Sequence, residues 1–136
     1  MKTIATCALF LGSSSAAWAG AAPQPDYHCE YRLERAGGKV FTMNGNIETA
    51  DATTRPGGAT YLTLEPPHVS GLDVTARVLI TYWTDNGTYF YNPMTLHPRG
   101  DTAHVLASAE LTGDGNTVTY QEGDATYTLT CKARGH

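Results

Sequence analysis

Apolar and polar residues alternate along most of this chain with a period of two. Tyr27, Cys29, Tyr31 and Leu33 alternate with His28, Glu30, Arg32 and Glu34. Near the other end, Ala125, Tyr127, Leu129 and Cys131 alternate with Thr126, Thr128, Thr130 and Lys132. Successive side chains of a strand point to opposite faces, so each stretch predicts a strand with one buried face. Each strand places one cysteine on that face, and a Cys29–Cys131 bridge would tie the first strand to the last.

Between them the same reading yields further strands. Ala36-Gly37-Gly38-Lys39 is a hairpin signal, because glycine supplies the positive φ that a tight turn needs. Lys39 to Ala50 follows as a second strand, interrupted at Asn44-Gly45 by either a bulge or a second turn. Ala59 to Glu65 is a third, stopped by Pro66-Pro67. Asp73 to Thr84 is the longest, with Val74, Ala76, Val78, Ile80 and Tyr82 on one face. Asn86-Gly87 fits a two-residue type I′ turn, which would set Trp83 opposite Phe90 and Tyr82 opposite Tyr91. Pro93 to Asp101 is expected to be an irregular loop. Thr102 to Thr112 reads as a strand with Ala103, Val105, Ala107, Ala109 and Leu111 inward. Thr117 to Gln121 and the Ala125 strand close the chain.

No segment carries a sustained helical apolar pattern, and β-branched and aromatic residues dominate the ordered stretches. The expected fold is all-β: a single antiparallel β-barrel of about eight strands if Asn44-Gly45 is a bulge. If it is a turn, nine strands and a β-sandwich are the alternative. The barrel domain would span residues 26–133, after a disordered lead-in at 20–25 and before a short tail at 134–136.

Residues 1–19 read as a cleaved signal peptide: Met1-Lys2, the apolar run Ile4 to Leu11, and Ala17-Trp18-Ala19 as the cleavage signal. The run is shorter than the ~20 residues that cross a bilayer, so no membrane insertion is expected. The predicted location is secreted, periplasmic or extracellular. Removing 19 of the 136 residues leaves 117, enough for one domain. Cys7 leaves with the leader, and the two cysteines that remain are the default disulfide pair of an oxidising compartment. Loss of Lys2 leaves 8 basic against 13 acidic groups, a net charge of −5. That sign disfavours nucleic acid, whose phosphates require a basic face.

Chemistry is sparse. Trp83 and Phe90 form a predicted outer aromatic pair, the kind of exposed cluster that marks recognition surfaces. Tyr89 and the loop residues His97 and Arg99 are the further candidates for ligand contact. Arg99-Gly100-Asp101 reads as ordinary turn chemistry, and so does Asp114-Gly115-Asn116, which lacks the downstream bidentate Glu of a calcium loop. The histidines are scattered, with His28 and His104 outward by parity and His68 and His97 beside prolines in loops. They show no metal-ligand spacing, so neither a metal nor a cofactor is expected. No nucleophile motif is present, and the expectation is no enzyme.

The opening Tyr27-His28-Cys29 and the late Cys131, in a small acidic antiparallel chain, resemble the bacterial C-type lysozyme inhibitors. That resemblance implies an eight-stranded barrel that plugs the cleft of a cationic lysozyme. The nearest counterpart of the family's Ser-Gly-x-x-Tyr loop is Gly57-Gly58-Ala59-Thr60-Tyr61, which lacks the serine, so no site residue carries over. The functional expectation is an exported binding module for a protein or small ligand, acting through an outer aromatic patch or a barrel-mouth loop. The alternatives are a periplasmic lysozyme inhibitor and a lipocalin-like carrier.

Overall fold

The computed structural model describes residues 25–52, 58–67, 74–83 and 89–134, with the backbone alone at 82–83 and 89–91. The segment expected to be a signal peptide, most of the expected lead-in, His68, the turn expected at Asn86-Gly87 and residues 135–136 lie outside the described residues. Nine strands occur among those described: β1 (Tyr27–Arg35), β2 (Val40–Ile47), β3 (Ala59–Leu64), β4 (Val74–Trp83), β5 (Tyr89–Tyr91), β6 (Pro93–Pro98), β7 (Ala107–Glu110), β8 (Gly115–Glu122) and β9 (Ala125–Ala133). A single 3-10 turn, Thr49–Asp51, follows β2.

They form two antiparallel sheets. One has the order β2-β1-β9-β8; the other has the order β3-β4-β6-β7, with β5 also paired to β4. Among the described residues the hydrogen-bonded ladders do not join into one closed barrel. The expected link between first and last strands is present: Cys131 lies directly opposite Cys29 on the β1–β9 ladder, and the two are disulfide-bonded inside the core.

The core fills the space between the sheets. Tyr27, Tyr31 and Leu33 of β1 meet Val74, Ala76, Val78 and Ile80 of β4, all buried as the alternation requires. Two tyrosines of β1 also reach across by hydrogen bonds. The Tyr31 hydroxyl donates to the Val74 carbonyl (2.6 Å), and that of Tyr27 to the Thr112 carbonyl (2.9 Å). Each phenol thus brings an apolar ring inside and gives its hydroxyl a backbone acceptor, which at Val74 is buried.

Asn44-Gly45 is neither bulge nor turn. β2 runs through it in unbroken register, with Glu30 opposite Asn44 and Cys29 opposite Gly45. Gly45 is there for space. A Cβ on it would lie 2.9 Å from Leu62 Cδ1, so the bare backbone lets β3 come alongside β2.

Four expectations about the strands are corrected. Pro93–Pro98 is a strand, not an irregular loop; its prolines occupy the first and last positions, where a missing N–H costs the ladder least. β5 and β6 hold one register against β4, with the pairing interrupted between Tyr91 and Met94, so among the described residues nine strands replace the expected eight through this break. On the same register Trp83 pairs with Tyr89 and Tyr82 with Phe90, one residue away from the pairing a two-residue turn would set. Finally, the strand expected over Thr102 to Thr112 is confined to Ala107–Glu110. The chain first turns at Pro98–Asp101, where the Asp101 N–H donates to the Pro98 carbonyl (3.0 Å), and this leaves Ala103 and Val105 exposed. Small residues in alternation do not by themselves create a buried face.

A hollow at the end of the β1–β2 hairpin

The β1–β2 turn forms as its glycines dictate. Gly37 and Gly38 have φ of +95° and +90°, and the Arg35 N–H donates to the Lys39 carbonyl (2.9 Å). Beside it, Leu33 of β1 lies opposite Phe41 of β2, and the half-buried Phe41 packs against the core. Val40, one residue earlier at the start of β2, is 46% exposed. Across the seam, Pro66 and Pro67 follow the end of β3. Together these residues line an open hollow of about 330 Å³, formed by Leu33, Val40, Phe41, Pro66 and Pro67, with Arg35 and Lys39 also in its lining.

Each wall is braced. On the hairpin side the Ala36 N–H donates to the Asp124 carbonyl (3.0 Å), and Arg35 Nη1 lies 3.6 Å from Asp124 Oδ1. Lys39 makes no ion pair among the described residues. On the proline side Arg99 Nη2 donates to the Pro66 carbonyl, while Nη1 sits 3.3 Å from Glu65 Oε2. The Thr75 hydroxyl donates to the same Glu65 oxygen (3.3 Å). Arg99 therefore staples the turn after β6 to the chain leaving β3. It also lies near Tyr31: burial pushes that phenol well above its ordinary range, Tyr127 adds to the shift, and the Arg99 charge offsets part of it.

Of the other expected site residues, His97 does not line the hollow. His97, expected in a solvated loop, is instead 4% exposed within β6. Its Nδ1 donates to the His104 carbonyl (3.3 Å), leaving Nε2 to accept from the Thr95 hydroxyl (2.6 Å). The ring thereby holds the 99–106 turn against the strand. His28 is exposed, as parity predicts, and His104 is exposed in the turn ahead of β7, where no strand parity applies. The side chains of Trp83, Tyr89 and Phe90 lie outside the described residues. On the same sheet, Tyr61 is 61% exposed with the Arg77 guanidinium 4.8 Å from its ring centre, and Arg77 Nε has no hydrogen-bond partner among the described residues. Gly57 lies outside the described residues, so the Gly57-to-Tyr61 loop is seen only from Gly58 onward.

The hollow was missed because its parts look like punctuation: a Gly-Gly turn, a Pro-Pro stop. One signal was available. Val40 and Phe41 are adjacent apolar residues, and strand parity exposes one of any such pair. Among the described residues no cluster of three His, Cys, Asp or Glu side chains is placed to hold a metal. Comparisons with protein-family models, curated proteins and solved structures found no match.

Proposed function

We propose that this protein is an exported, non-enzymatic binding module that takes a small ligand with an apolar body at the end of its β1–β2 hairpin. The observation that carries this reading is the hollow between Leu33, Val40, Phe41 and the Pro66-Pro67 wall. Its volume is at the lower end of the roughly 300–1,000 Å³ typical of small-molecule sites, which are mostly apolar with a few placed polar groups. On this reading the two sheets act as an incompletely closed barrel, with β2 beside β3 at a seam that opens into the mouth. The buried Cys29–Cys131 bond supports export, since such bonds persist in oxidising compartments.

The test is a fluorescence titration with N-phenyl-1-naphthylamine, a neutral apolar dye. Saturable, blue-shifted emission is expected, weakened about tenfold in Val40→Asp, which puts a charge where an apolar surface is needed. Emission that never saturates on natively folded protein would remove the proposal, as would unchanged binding by Val40→Asp with an intact circular dichroism spectrum.

A further inference from the structure

We infer that the ligand of this hollow is an anionic amphiphile, an alkyl or aryl body ending in a carboxylate or similar acid group. The inference rests on the binding reading above and adds the charge of the ligand. The interior of the hollow is apolar and its polar edge is cationic. Arg35 and Lys39, four residues apart, are brought together by the two-glycine turn at its rim. Asp124 answers one of these charges, at 3.6 Å from Arg35. Lys39 has no such partner among the described residues, and the rim keeps a net positive charge on a chain whose formal net charge is −4. A cationic edge on an acidic protein selects the sign of the head group, while the apolar wall accepts the tail.

The geometry also orients the molecule. Pro66 is buried and Pro67 exposed, and the Pro66 carbonyl is taken up by Arg99. The wall opposite the cations therefore presents proline rings with that backbone acceptor occupied. On that side the Arg99 guanidinium is already engaged by Glu65 and the Pro66 carbonyl, whereas on the hairpin side a head group meets the Lys39 ammonium, which makes no ion pair among the described residues, beside the Arg35 guanidinium. The tail then lies between Phe41 and the prolines.

The experiment displaces N-phenyl-1-naphthylamine from the full chain with decanoate, 1-decanol and decyltrimethylammonium, matched in alkyl length and opposed in charge. Decanoate should compete about fivefold better than decanol, the scale of exposed ion pairing at a rim. Its advantage should shrink in 0.5 M NaCl, where screening is effective. In Lys39→Glu the order of decanoate and decyltrimethylammonium should reverse. If the dye binds but all three compete equally, or the cation competes best, the head-group inference is overturned and the apolar site stands. If the dye does not bind, both fall.

Discussion

Cys29 and Cys131 occupy the same rung of the β1–β9 ladder, 102 positions apart in sequence and both shielded from solvent. The bond between them closes nearly the whole described chain into one loop. Because chain entropy removed from the unfolded state grows with loop length, a bridge of this span is worth about 4–5 kcal/mol in that model. The Cys29→Ala, Cys131→Ala double variant should accordingly lose about 2–5 kcal/mol in urea unfolding, and a change under 1 kcal/mol would show that the ends are held by other contacts.

Tyr31→Phe isolates one cross-sheet hydrogen bond. The ring stays, but the Val74 carbonyl is left buried without its donor, at a cost of about 1–3 kcal/mol. The same substitution has a pH signature. Burial raises the Tyr31 phenol above its ordinary value of 10, so the folded protein keeps a proton that the unfolded chain releases. Stability is thus complete below that pH and declines as pH rises past it. Unfolding free energies measured across about pH 9 to 11 should fall less steeply in Tyr31→Phe than in the parent.

Gly115 begins β8 with φ +124°, and a Cβ there would sit 2.1 Å from the Cys131 carbonyl oxygen. Backbone cannot step aside as a side chain does. Gly115→Ala should therefore cost at least about 2 kcal/mol, combining overpacking with a left-handed conformation. Gly123→Ala is the matched comparison: its φ is +59°, with nothing near the added carbon, and about 1–2 kcal/mol is expected. Equal losses in thermal or urea unfolding would show that β8 relaxes away from β9.

Arg99→Met keeps an unbranched apolar stem and removes the guanidinium that anchors to Glu65 and to the Pro66 carbonyl. The site is partly exposed, so about 1–2 kcal/mol of stability should be lost. Dye binding in the adjoining hollow should weaken as the Pro66 wall loosens. Full affinity in this variant would mean that the prolines hold their place without Arg99.

Gly45 and Leu62 offer the converse of Gly115. The close atom is the end of a flexible side chain, so Gly45→Ala should be tolerated within about 1 kcal/mol, whereas Gly45→Phe should cost about 1–3 kcal/mol by forcing β2 from β3. If Gly45→Phe unfolds at the parental midpoint, the two strands do not depend on their close approach.

Much of the architecture follows from local chemistry. Alternation at Tyr27 to Leu33 and Ala125 to Cys131 set the cysteines on one face, and Gly37-Gly38 specified the hairpin, because strand parity and positive φ belong to single residues and their neighbours. Tertiary structure decided the rest. Pro93 and Pro98 look like breakers until β4 and β7 supply partners for the residues between them. Asn44-Gly45 looks like a turn until Leu62 shows what the absent side chain makes room for. Val105 looks buried until Pro98 to Asp101 reverses the chain ahead of it. The hollow exists only where residues 33–41 meet residues 66–67, an approach between two sheets that no local pattern encodes.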